Sequence, residues 1–402
     1  MASPGLRGKR VVIAQCGGPT AVVNASLVGA LMAARAQSDP VGVLGARFAF
    51  EGILQADYVD LSILSDEDMR ALERTPGAAL GSSRYRPTDA EIEQAVIDLV
   101  SREVASVVAI GGNDSADTLH RLHQAAQRFG RPLGVYGVPK TIDNDLVRMD
   151  HSPGYGSAAR YIALAVREAG VDASAMRRTD PIKIVEVMGR NAGWLAAASA
   201  LAREVPDDPP HLIFLPERPR PLAQMIDEVG AAYRRRGWVV VVLSENQRDD
   251  ADQPLAGGGP IHVDPHGHSY HESSGAHLAR QVQSQLGLRA RYERPGSLQR
   301  TSVAALSETD VREAGQVGWE AMRRALAGET DAMVGIQRVA ASATYAVALD
   351  AVPLGEIAGR ERRLPDEFMA ATGTGVTEAF LDYAEPLIAA PLPSLAPRLL
   401  PR

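Results

Sequence analysis

Short apolar runs that close on glycine, proline or a polar turn, each followed by an amphipathic helical stretch, recur along most of this 402-residue chain. The runs are 11–14, 41–44, 104–110, 133–138, 182–187, 212–215 and 239–243; helical patterns occupy 21–36, 89–102, 115–129, 157–170, 221–236 and 310–327. Runs without polar alternation read as strands buried on both faces, and their alternation with helices predicts a parallel sheet wrapped by helices, a doubly wound α/β class. Ligands of such sheets bind outside the carboxyl ends of the strands, so chemistry is sought in the turns that follow each strand. Segment 249–274, rich in Gly, Pro, Asp and His, breaks the alternation and reads as a long loop without secondary structure. The proline-rich segment 386–402 reads as an extended tail.

Charge and rare residues narrow the function. Forty-two basic against 49 acidic residues give a net charge of −7 with no dense basic run, which leaves no nucleic-acid footprint; an anionic ligand must be held locally. The purest apolar run, 238–243, is far below the ~20 residues of a membrane span. The apolar stretch after the basic start is broken at Cys16, Gly17 and Gly18, too early for a signal-peptide core. The expectation is a protein with no membrane partner, in the cytoplasm, where the lone Cys16 excludes a disulfide framework and a thiolate zinc site. Lysine occurs only at 9, 140 and 183 and asparagine only at 24, 113, 144, 191 and 246, mostly beside Gly-rich or carboxylate-rich turns, as if reserved for chemistry.

Three turns stand out. In VVIAQCGGPTAVVN (11–24) a strand ends in Gly17-Gly18 before a helix, an arrangement that admits a phosphate to backbone N–H groups; it fits neither GxGxxG nor GxxxxGK[ST]. VVAIGGNDSADTL (107–119) repeats strand, Gly-Gly, helix, now with Asn113 and Asp114, where Asp114 or Ser115 would equally serve as a helix cap. GVPKTIDNDL (137–146) places Asp143 and Asp145 around Asn144, with Lys140 beside them. Two carboxylates in one turn suit a base for a hydroxyl proton and a ligand for Mg²⁺. Glycine turns, paired carboxylates and a local cation together describe phosphoryl transfer.

These turns, with LGSSRYRP (80–87), HSPGYGSAARY (151–161), IVEVMGRNAGW (184–194), SEN (244–246) and RYERPGSLQR (291–300), resemble in order the phosphofructokinase family, specifically its pyrophosphate-dependent branch. The resemblance spans about three quarters of the chain and implies two doubly wound Rossmann-like three-layer domains with the active site in the cleft between them. One would hold pyrophosphate on 1–150 plus about 300–350, the other fructose 6-phosphate on 151–299 plus about 351–402. It implies Asp143 as the base for the sugar 1-hydroxyl, Thr141 as a substrate contact and Asp145 as a catalytic or metal-binding carboxylate. Arg84 would bridge phosphates. Met188, Gly189 and Arg190 would hold fructose 6-phosphate, with Arg190 stabilising the transferring group, and Glu245 would bind a sugar hydroxyl. Arg300 would grip the 6-phosphate with Tyr292, Arg294 and Ser297 nearby, and Arg291 would reach across a subunit interface in a homodimer or homotetramer.

ATP-using relatives carry glycine where this chain has Asp114 and Lys140. A carboxylate at 114 opposes an α-phosphate by ~1 to 4 kcal/mol at dielectrics of 80 to 20, so pyrophosphate, with Mg²⁺, is the donor the resemblance implies, in a reversible step of glycolysis and gluconeogenesis. Asn113 departs from the aspartate usual at a metal-holding position, so the Mg²⁺ ligands, with Asn113 and Asp145 as candidates, stay open. Two alternatives also stay open: an ATP-dependent or mixed-donor sugar-phosphate kinase, and a catalytically silent sugar-phosphate sensor. His262, His266, His268, His271 and His277 read as a polar loop rather than a metal site, lacking HExxH, and Cys16 reads as a small packed residue.

Overall fold

The computed structural model describes residues 10–257, 262–263, 269–270, 272–339 and 344–394. It divides into two compact units, Met1–Tyr155 with Glu308–Arg362, and Gly156–Ser307 with Arg363–Arg402. In chain order the strands are β1 (Arg10–Gln15), β2 (Gly42–Ala46), β3 (Tyr58–Asp60), β4 (Val104–Gly111), β5 (Gly134–Pro139), β6 (Ile182–Val187), β7 (Leu212–Phe214), β8 (Val239–Ser244), β9 (His262–Val263), β10 (Ser269–Tyr270), β11 (Ala290–Glu293), β12 (Ala332–Arg338) and β13 (Val347–Pro353).

The first unit holds a seven-stranded sheet of order β13-β12-β5-β4-β1-β2-β3. Successive residues of a strand face opposite sides, and both sides are buried. Val11, Ile13, Val108, Ile110, Tyr136 and Val138 pack with helices Val23–Arg35 and Glu308–Leu326. Val12, Ala14, Val107, Ala109 and Val135 pack with helices Asp89–Ser101 and Asn113–Arg128 on the other side. This is why the strands read as unbroken apolar runs: each residue meets a helix layer whichever way it points. Val23–Arg35 and Glu308–Leu326 cross at backbone contact, since a Cβ on Gly29 would lie 2.0 Å from the Gly315 carbonyl oxygen and one on Gly318 1.9 Å from that of Ser26.

The sheet is not wholly parallel. β3 and β13 run antiparallel to β2 and β12 at the two edges. β13 (VALDAVP) is apolar but for Asp350, yet most of it is exposed or half-exposed, and both it and β12 fall outside the runs read from the sequence.

The second unit carries a fully parallel sheet of order β11-β6-β8-β7. Ile182, Ile184, Phe214, Val239, Val241 and Leu243 form its core with Met225, Ile226 and Val229 of helix Leu222–Arg236 and Leu278 and Val282 of helix Ser274–Leu286. That last helix, capped by the Ser273 side chain on the Ala276 N–H, begins where the sequence suggests only loop. Within 249–274 itself, β9 and β10 pair antiparallel, correcting the expectation of no secondary structure. His266, His268 and His271, and the His262 side chain, lie outside the described residues. The proline-rich tail opens with a 3₁₀ turn, Glu385–Ile388, rather than extended chain, and 395–402 fall outside the described residues. Among the described residues no helix is long and apolar enough to cross a membrane.

Candidate active site

In the first unit β1 and β4 are neighbours, but the chain leaves β1 toward β2 on one side and β4 toward β5 on the other. A sheet opens a crevice at such a reversal, at the carboxyl ends of its strands, and both Gly-Gly turns lie there. Gly17 adopts φ 75°, a left-handed conformation suited to glycine. Gly111 admits no side chain, since a Cβ would fall 2.2 Å from the Ser115 hydroxyl oxygen. The turns are joined: the Cys16 N–H donates to the Ile110 carbonyl at 2.8 Å, and the Lys140 N–H to that of Gly111 at 3.0 Å. Lys140, only 4% exposed, sends its ammonium to the Gly18 carbonyl at 2.8 Å. One lysine thus binds the turns after β1, β4 and β5. Cys16 is buried beneath them, and burial pushes its thiol up to about 12 against the opposing effect of Lys140, so it is the inert packed residue expected.

The helix after β4 starts at Asn113 with Gly112 as N-cap and no side-chain cap. Asp114 and Ser115 therefore do not cap it; Asn113 Oδ1 instead accepts the Asp114 N–H at 2.9 Å. The Asp114 carboxylate accepts from Arg86 at 2.6 Å, both side chains 55% exposed. Arg86 sits in the 80–87 segment, which Asn24 and Gln15 fasten from below: Asn24 binds the Thr75 carbonyl and the Ala79 N–H, and Gln15 binds the Leu80 N–H. Asn24 is therefore a support for the turn rather than a ligand. The Gly17 N–H is committed to the Ser83 carbonyl and its carbonyl to the Ser82 hydroxyl. Arg84 is exposed and its guanidinium makes no hydrogen bond or ion pair among the described residues.

The loop after β5 carries the carboxylates. The Thr141 hydroxyl accepts the Asp143 N–H at 3.1 Å, while Asn144, buried at φ 55°, accepts the Ser152 N–H at 3.0 Å. Burial, then the neighbouring charges of Asp143 and Glu361, push Asp145 up to about 7, a hydrogen bond with Thr141 offsetting part of this. Carboxylates that repel one another in a buried turn suit a cation, and Mg²⁺ takes one or two carboxylates with the rest of its shell from phosphate and water. The donor set fits that ion; among the described residues no cluster of three or more His, Cys, Asp or Glu forms a cage.

Behind the loop, His151 is buried between Asp150 (2.8 Å) and Glu313 (2.6 Å), with Tyr345 bonding Glu313 at 2.9 Å. The Gly154 N–H donates to Asp310 at 2.8 Å, and Arg362 binds several loop carbonyls. The sequence gives no sign of Glu313, Asp310 and Arg362 as partners of this loop because they lie more than 150 residues along the chain from the groups they bind.

In the second unit Met188 and Gly189 follow β6, Gly189 at φ 112°. The Met188 N–H donates to Gln299 Oε1 at 3.0 Å, so Gln299, buried and overlooked in the sequence, ties the MGR turn to the segment holding Ser297 and Arg300. The Gly193 N–H donates to Glu217 at 2.8 Å. Arg190 is exposed. Arg294 bridges the fully buried Glu186 (3.2 Å) and Glu245 (3.0 Å); burial raises the Glu245 carboxyl while Arg294 pulls it back. Tyr292 leans on Glu186 at 3.4 Å. Arg291 pairs through Nε with the buried Asp180 at 2.6 Å, its own side chain half exposed.

A family model described as phosphofructokinase matches residues 10–325. The pyrophosphate–fructose 6-phosphate 1-phosphotransferase of Xanthomonas campestris pv. campestris (strain B100) is 40% identical over 384 residues, covering 94% of this chain and 91% of the relative. That of Rhodospirillum rubrum is 37% identical over 390 residues, 96% and 95% of the two chains. The crystal structure of pyrophosphate-dependent phosphofructokinase from Marinobacter aquaeolei superposes with a TM-score of 0.85 at 35% identity, covering 98% of this chain and 95% of that one.

Proposed function

Because this chain belongs to the phosphofructokinase family, we propose that it transfers a phosphoryl group from pyrophosphate to the 1-hydroxyl of fructose 6-phosphate, giving fructose 1,6-bisphosphate and phosphate. The observation that carries the reading is the joining, by Lys140, of two Gly-Gly turns and the Asp143–Asp145 loop at one sheet reversal. The curated relatives named for this reaction support the choice of donor and acceptor.

Asp143 accepts the proton of the 1-hydroxyl as the new P–O bond forms, the role of a general base. Arg84 and Arg190, both exposed, supply charge to the donor and the transferring group, where phosphoryl transfer gains most from electrostatic positioning. Lys140 meets the departing phosphate, and Asp114 faces the position an α-phosphate would need. Arg300, with Arg294, Tyr292 and Ser297, receives the 6-phosphate, and Glu245 a sugar hydroxyl. Asp145 and Asn113 would hold Mg²⁺, which neutralises phosphate oxygens when bound. The working form is a homodimer or homotetramer in the cytoplasm, and an active monomer in light scattering contradicts the assembly. Initial rates with each donor at fixed Mg²⁺ test the reaction: kcat/KM for pyrophosphate exceeds that for ATP, and equality or reversal overturns the donor assignment.

A further inference from the structure

We propose that Arg362 is a positioning residue for phosphoryl transfer, holding in shape the loop that presents Asp143 and Asp145. The inference rests on the reaction proposed above but on different atoms. The loop runs from β5 to the helix Tyr155–Met176 without belonging to a sheet ladder over 142–153, and two of its non-glycine residues, Asn144 and Arg148, sit at left-handed φ of 55° and 65°. Such a backbone stores strain and leaves inward carbonyls that need donors. Arg362 supplies them. Its N–H donates to the Asp145 carbonyl at 2.7 Å. Its guanidinium reaches Asn144 through Nε (3.3 Å) and Nη2 (3.1 Å), and Met149 (2.7 Å) and Asp150 (2.5 Å) through Nη1.

One residue therefore binds four carbonyls, two immediately after Asp143 and two at the far side of the loop, closing it like a ring. The guanidinium binds three of them, at opposite sides of the loop, through its planar fork of N–H donors, a spread that the compact ammonium of a lysine does not reproduce. The guanidinium grips backbone carbonyls on both sides of the loop and so holds the backbone that aims the two carboxylates.

The test compares Arg362→Lys, Arg362→Gln and Arg362→Ala with wild type. A misplacement of about 1 Å costs on the order of 10²-fold, so kcat falls about 10- to 100-fold in each while KM for fructose 6-phosphate stays within about 2-fold. Methylguanidinium restores part of the kcat of Arg362→Ala but none of that of Asp143→Asn. Amide hydrogen exchange rises in peptides covering 142–150 and not in helix Val23–Arg35. Wild-type kcat in all three variants, unchanged exchange over 142–150, or a kcat loss matched by loss of folded protein overturns the proposal. Should Arg362→Ala fail to fold, Arg362→Lys carries the same readouts. A wild type inactive with pyrophosphate refutes the reaction, while the exchange comparison still decides the clamp.

Discussion

Removing the Asp114 carboxylate should open the donor site to ATP only slightly, and the structure says by how much. Asp114 is half exposed and already paired with Arg86 at 2.6 Å, so its repulsion of an α-phosphate lies near the water limit of Coulomb's law, about 1 kcal/mol at 4 Å, or roughly 5-fold. Lys140 differs: it is buried, bonded to the Gly18 carbonyl, and packed 3.3 Å from where a Gly17 Cβ would lie. Lys140→Gly deletes a buried four-carbon stem and unpairs that carbonyl, a loss on the order of 2 to 5 kcal/mol by analogy with large-to-small core changes. Asp114→Gly should therefore raise kcat/KM for ATP about 5-fold with little change in Tm, since Asp114 caps nothing. Lys140→Gly should lower Tm and pyrophosphate activity together. The double variant should admit ATP better than either single, because neighbouring sites are non-additive. The assay is kcat/KM for both donors in the four proteins at fixed Mg²⁺, with Tm alongside. A donor ratio unmoved by the double change, or an Asp114→Gly effect of several hundred-fold, refutes the reasoning.

Asp143→Asn removes the proton acceptor but keeps the shape of the side chain; kcat should drop ~10²- to 10⁴-fold with KM for fructose 6-phosphate little changed, and near-normal kcat would move the base elsewhere, Asp145 first. Gly318→Ala drives a methyl to 1.9 Å from the Ser26 carbonyl, so overpacking should cost about 1 to 3 kcal/mol in denaturant melts, and an unchanged midpoint would show that the helices part easily. Burial alone would lower the His151 pKa, yet its bonds to Asp150 and Glu313 and their charges raise it above 6.5. A raised folded value means stability that is whole below about 6.5 and fades as pH climbs through the folded pKa. Tm against pH should therefore fall more steeply above that point in wild type than in His151→Gln; parallel curves would deny the histidine its charge.

β1, β4, β5 and β8 were legible because both faces are buried and nearly every residue is apolar; β12, buried at its centre but interrupted by Gly335 and closed by Gln337 and Arg338, was not. β13, exposed or half-exposed everywhere but Val352, and β11, four residues with two charges, are not buried on both faces. The same logic separates what could be read of the site. Gly17, Gly111, Asp143 and Asp145 belong to local patterns whose spacing has chemical meaning. Arg362, Gln299 and Glu186 act by contacts made across long stretches of chain, and nothing in the residues around them signals a partner. Asp114 shows both sides: its place in the turn was readable, its bond to Arg86 was not.

The donor is the centre of the account, and competition measures it without separate rate constants. Pyrophosphate and ATP at equal concentration, with fructose 6-phosphate and Mg²⁺ in one vessel, would be followed by ³¹P NMR, the initial ratio of products reporting the ratio of kcat/KM values. Phosphate and fructose 1,6-bisphosphate should appear while ATP stays intact until pyrophosphate is depleted. ADP forming from the outset at a rate equal to or above that of phosphate would contradict it.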